Sequence, residues 1–137
     1  MFSFTFLAIF SDWGIFALRA VLGAILLAHG WPKIKDVKRT GDNFAAMGFR
    51  PGIFWGPLVA AVEFFGGIAL LFGLYTQIIA GLVVGEFAVI IIWKFLRKQP
   101  FVGGSEFDFL ILAAALVLFT IGGGAFSLDR WLFLAGY

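Results

Sequence analysis

The sequence predicts an all-α integral membrane protein, a four-helix bundle with a short interfacial segment between helices 1 and 2. Hydrophobic residues make up 62% of the chain and charged residues 13%, against roughly half and a quarter in soluble domains. The mean hydropathy is +1.04. Four apolar stretches, each near the roughly 20 residues needed to cross a bilayer, are separated by polar or Gly/Pro-rich segments. They leave little of the 137 residues over, so residues 1–137 read as a single transmembrane domain.

The same composition removes several function classes. With no cysteine, disulfides, thiolate metal sites, cysteine-ligated iron–sulfur clusters and thiol catalysis by this chain are excluded. A lone histidine cannot provide both axial ligands of a haem, so neither haem nor an iron–sulfur cluster is expected, and no metal site is apparent. The formal charge of +2 contains no like-charge block of the kind that binds nucleic acid.

The opening MFSFTFLAIFSDWG has no basic residues before its apolar run and no small-residue cleavage pattern after it, so it reads as mature protein rather than a signal peptide. At roughly ten residues the run is too short to span. An aromatic interfacial lead-in is expected, with Asp12 as N-cap of the first span. That span covers residues 13–31, with Trp13 and Trp31 at the two aromatic belts. Pro32 should end or kink it, and Ala20, Ala24 and Ala28 form a small-residue strip where another helix can approach.

Residues 33–51 are polar and carry Lys33, Lys35, Lys38, Arg39 and Arg50. Within them GDNFAAMGF offers Asp42 as an N-cap, Phe44 and Met47 as an apolar pair, and Gly48 as a stop. Either a short interfacial helix or an ordinary loop fits this pattern. The second and third spans, residues 53–73 and 77–95, are joined so tightly that their helices must be antiparallel neighbours. Gly66, Gly67, Gly81 and Gly85 give them surfaces for close packing inside the bundle. After a Pro/Gly/Ser turn, Ser105 and Asp108 have the spacing of a capping box, which starts the fourth span, residues 107–122. GGGAFSLDRWLFLAGY then breaks the helix and ends in an aromatic tail.

Eight Lys and Arg residues lie between spans one and two and between three and four, against Arg130 on the other face. The positive-inside rule therefore places the basic loops in the cytoplasm and both termini outside.

Arg19, Glu63 and Glu86 are the polar residues whose depth needs a reason. An ionised carboxylate at mid-membrane costs about 2.5–3.5 kcal/mol on insertion scales, so each must be paired, protonated or facing water. Arg19 paired with Glu63 or Glu86 is the expected ion-pair network. One guanidinium cannot neutralise two carboxylates, so one of them should carry a proton. His29 and Lys33 share a helical face with Arg19, and Glu106 and Asp108 fall at the same end of the bundle as Lys33. A static network holding the helices together is the simpler reading of these residues, and a site that binds or relays something is the sharper one. For His29 alone, a bond to a loop carbonyl is the simpler role.

LRAVLGAILLAHGWPKI, NFAAMGF, VEFFGGIALLFGLYTQIIA and GGGAFSLD, in that order, resemble the DoxX/DoxD-like family of small bacterial four-helix membrane proteins. The pattern covers Arg19, Gly23, His29, Gly30, Lys33, Gly48, Glu63, Gly66, Gly67, Gly73, Ser127 and Asp129. Glu86 lies outside it, and Ala125-Phe126 stands where the family commonly has a basic residue before Ser-Leu-Asp. The resemblance implies association with membrane redox systems, including a thiosulfate:quinone oxidoreductase and thiol or oxidative-stress assemblies. Without cysteine, sulfur chemistry would fall to a partner.

The expected function is an accessory subunit of a larger membrane complex, redox- or quinone-linked, contacting the lipid bilayer and other membrane-protein subunits and not catalytic alone. A quinone site needs an apolar slot, aromatic walls and a proton donor, which His29, Trp31, Lys33 and Glu63 could supply. The alternative is a small oligomeric transporter or proton-conducting protein using Glu63 and Glu86, against which the lack of broken-helix repeats weighs. A third is a purely structural protein at the rim of a larger assembly.

Overall fold

The computed structural model describes residues 4–132, which contain helices and turns and no strand. Phe4–Phe10 winds as a 3-10 segment directly into α1, Ser11–Lys35. α2 is Val37–Ala46, α3 Gly52–Phe72, α4 Thr76–Leu96, α5 Glu106–Ile121 and α6 Leu128–Trp131. Four helical stretches, containing α1, α3, α4 and α5, are long and apolar enough to cross a membrane.

Two helix ends differ from expectation. Pro32 does not end α1, which continues through it to Lys35. Proline deletes one donor, but the helix end is held otherwise: Thr40 Oγ1 on α2 donates to the Lys33 carbonyl at 3.0 Å. The polar segment is a true helix and starts earlier than Asp42. Asp36 caps it by accepting from the Arg39 N–H at 3.1 Å, which leaves Asp42 an interior residue. Gly48 follows at φ +101, a conformation that lets the chain turn toward α3.

Leu22 and Leu26 of α1, Leu70 of α3, Ala80, Val83 and Phe87 of α4, and Ile111, Ala115 and Leu118 of α5 make the core. α1 and α3 form the most intimate pair, α4 and α5 the second, and α2 lies along the start of α3. Glycine sets the α1–α3 distance. A Cβ on Gly30 would stand 2.5 Å from the Phe64 nitrogen, and one on Gly67 would stand 2.7 Å from the Leu27 nitrogen, so the two backbones touch. The alanine strip is not that surface, since Ala24 and Ala28 are exposed. Large apolar side chains cover the outside, among them Trp13, Phe65, Ile78 and Phe95, the surface expected of helices solvated by lipid.

The start of α5 is also built differently from a capping box. The Ser105 side chain makes no cap bond. Glu106 Oε1 instead accepts from the Gly103 N–H at 3.1 Å, and Asp108 is engaged by Lys94 of α4 at 2.5 Å.

Candidate functional site

The buried polar groups form clusters at opposite ends of the bundle. At the end away from the basic loops, Arg19 is fully buried, and its partners are backbone carbonyls rather than a glutamate. Nη1 donates to Leu70 O at 2.8 Å and Leu71 O at 2.9 Å, Nη2 to Phe126 O at 2.8 Å, and Nε to Gly123 O at 3.3 Å. The α3 carbonyls belong to its last turn, where the helix dipole is negative and a cation is favoured. Phe16 adds a ring 5.4 Å from the guanidinium carbon. The fork geometry of arginine, with five donors in a plane, is what lets one side chain hold two separate segments.

The loop after α5 completes this end. Asp129 accepts from the Tyr75 N–H at 2.5 Å and the Thr76 N–H at 2.8 Å, capping α4, and its own N–H donates to Gly73 O at 2.9 Å. Ser127 Oγ donates to Gly124 O and accepts from the Arg130 N–H. Asp12, expected as a helix cap, accepts instead from the Ala125 N–H at 3.0 Å and staples the loop to α1. Gly73, at φ +70, has no room for a Cβ, which would lie 2.7 Å from Arg19 Nη1.

Toward the basic end, Lys33 and Glu63 form an ion pair of 2.6 Å, with the Glu63 side chain 2% exposed and that of Lys33 30%. Lys33, not Arg19, is therefore the cation on Glu63. The register explains why: Gly30 of α1 faces Glu63 and Phe64 of α3, while Arg19 lies eleven residues away, roughly 16 Å along the axis. Glu86 of α4 adjoins Glu63, with Lys33 in electrostatic reach, and both of its carboxylate oxygens are buried without a hydrogen-bond partner. Two carboxyls and one ammonium leave one negative charge over. A proton shared between the carboxyls would supply the missing donor and make the cluster neutral.

His29 and Trp31 do not join this cluster. His29 is exposed and stacks on Phe107 of α5, with ring centroids 6.2 Å apart. Trp31 packs on Phe64 at 5.8 Å, and the Lys35 ammonium lies over its ring. A 200° step separates positions two apart on a helix, so the two rings leave α1 on opposite sides. His29, Trp31, Lys33 and Glu63 consequently do not line one slot within this chain. A cavity of about 420 Å³ lies elsewhere, between α2 and the start of α3, and one of about 60 Å³ lies beside Thr76 and Asp129. Among the described residues, no group of three or more His, Asp or Glu side chains is placed to hold a metal ion.

Sequence reasoning missed the carbonyl clasp of Arg19, the capping role of Asp129, and Lys94 as the partner of Asp108. Gly23 and Gly30, seven apart on α1, mark the face of α1 that can approach another helix, but only the structure shows that they meet Gly67 and Glu63 of α3 and so set Lys33 near Glu63.

Comparison with known proteins agrees with this architecture. The family model described as DoxX matches residues 14–95. A Bacillus subtilis (strain 168) protein named "Putative oxidoreductase CatD" is 32% identical over 123 residues, covering 88% of this chain and 87% of that protein. The Escherichia coli (strain K12) "Inner membrane protein YqjF" is 33% identical over 126 residues, covering 88% of this chain and 93% of its own length. No solved structure matches the chain significantly.

Proposed function

The chain belongs to the DoxX family, and from that premise we propose that it is an accessory membrane subunit of a quinone-linked redox complex, contributing the Lys33–Glu63–Glu86 cluster as a proton-holding group. The observation that carries this reading is Glu86, whose two carboxylate oxygens are buried beside an ion pair and find no donor. Structural ion pairs are normally completed; an unsatisfied buried carboxyl beside a paired one suits a group that takes up and gives back a proton. The name of the Bacillus subtilis relative points toward oxidoreductase chemistry, and the Escherichia coli name supports an inner-membrane location.

Quinone would supply the acceptor for two electrons and two protons. The electrons would come from a partner subunit. The residues of this chain do the remaining work: Lys33 pairs with Glu63, Glu86 beside that pair takes up and gives back a proton, and the exposed His29–Phe107 pair presents an aromatic face at the α1–α5 seam. Since His29 and Trp31 diverge, any quinone slot would have to be completed by the partner's surface. The orientation that suits this places the basic loops in the cytoplasm, the source of the protons.

Purification from the native membrane in mild detergent, with its lipids, tests the reading. Stoichiometric co-purification of larger subunits together with quinone is expected. Glu86→Gln should leave that assembly intact while slowing quinone reduction by the complex at least tenfold. A chain that purifies alone, or an assembled Glu86→Gln complex that turns over normally, overturns it. Proton flux through the isolated chain in liposomes, lost in Glu86→Gln, would replace it with the conducting alternative.

A further inference from the structure

The cleft between α2 and the beginning of α3 combines an apolar wall with charged side chains. Its volume is about 420 Å³, and its walls include the apolar Val37, Ala45, Ile53 and Pro57 and the charged Lys38 and Asp42. Contact between the backbones of α2 and α3 closes its inner side, since a Cβ on Gly56 would stand 2.7 Å from Gly41 Cα. The cleft also lies at the membrane edge, because α3 enters its span from Gly52.

Lys38 and Asp42 are one turn apart on α2, so their side chains are neighbours, with about 5–6 Å between Cβ atoms. They nevertheless do not pair with each other. The ion pairs among the described residues are Lys33–Glu63 and Lys94–Asp108, and neither Lys38 nor Asp42 makes a side-chain hydrogen bond. The cleft therefore offers one free cation and one free anion side by side above an apolar wall.

We propose that this cleft binds the headgroup of a zwitterionic phospholipid bearing a primary ammonium, a phosphatidylethanolamine, with Lys38 on the phosphate and Asp42 on the ammonium. The ethylene link between those two groups matches the spacing of side chains one helical turn apart. Val37, Ala45, Ile53 and Pro57 face the start of the acyl chains. Charge complementarity selects among lipids. An anionic phosphatidylglycerol brings a phosphate for Lys38 but nothing to neutralise Asp42. Phosphatidylcholine brings a cation, but its trimethylated nitrogen has no N–H to donate to the carboxylate.

Native mass spectrometry of the detergent-purified chain, given equal amounts of phosphatidylethanolamine, phosphatidylcholine and phosphatidylglycerol with identical acyl chains, tests this. Phosphatidylethanolamine should be retained about three- to fivefold over phosphatidylcholine, the size of one exposed charge pair. Asp42→Asn should bring the two to parity, lowering retention of phosphatidylethanolamine by much more than that of phosphatidylcholine, and Lys38→Gln should weaken retention of both. Both side chains are exposed, so neither change disturbs the core. Equal retention by the unaltered chain, a preference that survives Asp42→Asn, Lys38→Gln without effect, or phosphatidylglycerol retained best would each overturn the proposal.

Discussion

Replacing Arg19 with lysine keeps the charge and most of the stem, and so isolates what the guanidinium fork does. Arginine uses four of its five N–H donors here, two on the last turn of α3 and two on the loop at residues 123–126. A lysine ammonium is a single point with three donors, and it can serve only one of the two segments. Two bonds are then lost. On soluble-protein scales, bonds to a charged group contribute about 1.5–3 kcal/mol each, giving about 3–6 kcal/mol. Side-chain hydrogen bonds measured inside a membrane protein average nearer 0.6 kcal/mol, giving roughly 1 kcal/mol. Leu70 O keeps a second donor, the Gly73 N–H at 3.1 Å, which favours the lower half of this range. The expected destabilisation of Arg19→Lys is therefore about 2 kcal/mol. Reversible unfolding in mixed micelles by titration with SDS, followed by far-UV circular dichroism, measures it. Cleavage of residues 122–127 by added protease should accelerate in parallel. A midpoint unchanged from the unaltered chain would show that the clasp holds nothing, and the account of this end of the bundle would fall.

Other substitutions test other contacts. Gly30→Ala should destabilise by about 2 kcal/mol in the same titration, because its new methyl meets the α3 backbone and the helices must separate. Gly85→Ala meets nothing within 4 Å and should be neutral or stabilising by up to about 1 kcal/mol; equal effects of the two would refute the register. Asp129→Ala, which strips the cap from α4, should cost about 1–2 kcal/mol and raise amide exchange at Tyr75 and Thr76 before elsewhere. The chain lacks cysteine, so single cysteines report topology cleanly. In intact cells Arg130→Cys should react with an impermeant maleimide and Gln99→Cys should not, and the reverse pattern would invert the orientation.

The composition and the apolar runs by themselves determined that this chain is an all-helical membrane protein with four helices able to span, because a bilayer permits almost no other use of such segments. The family resemblance was legible too, in motifs that keep their order. Depth and partnership were not legible. Arg19 and Glu63 are both charged residues in apolar helices, and hydropathy alone pairs them. The backbone contact at Gly30 and Gly67 sets α1 against α3 in a register that carries them a bilayer's half-thickness apart. That register gives Glu63 to Lys33 and leaves Arg19 to the open carbonyls of a helix end, while the packing of α4 sets Glu86 beside a carboxylate with no donor of its own. A side chain's neighbours in a bundle depend on the rotation and offset of two helices, quantities fixed by contacts between segments and absent from either segment read alone.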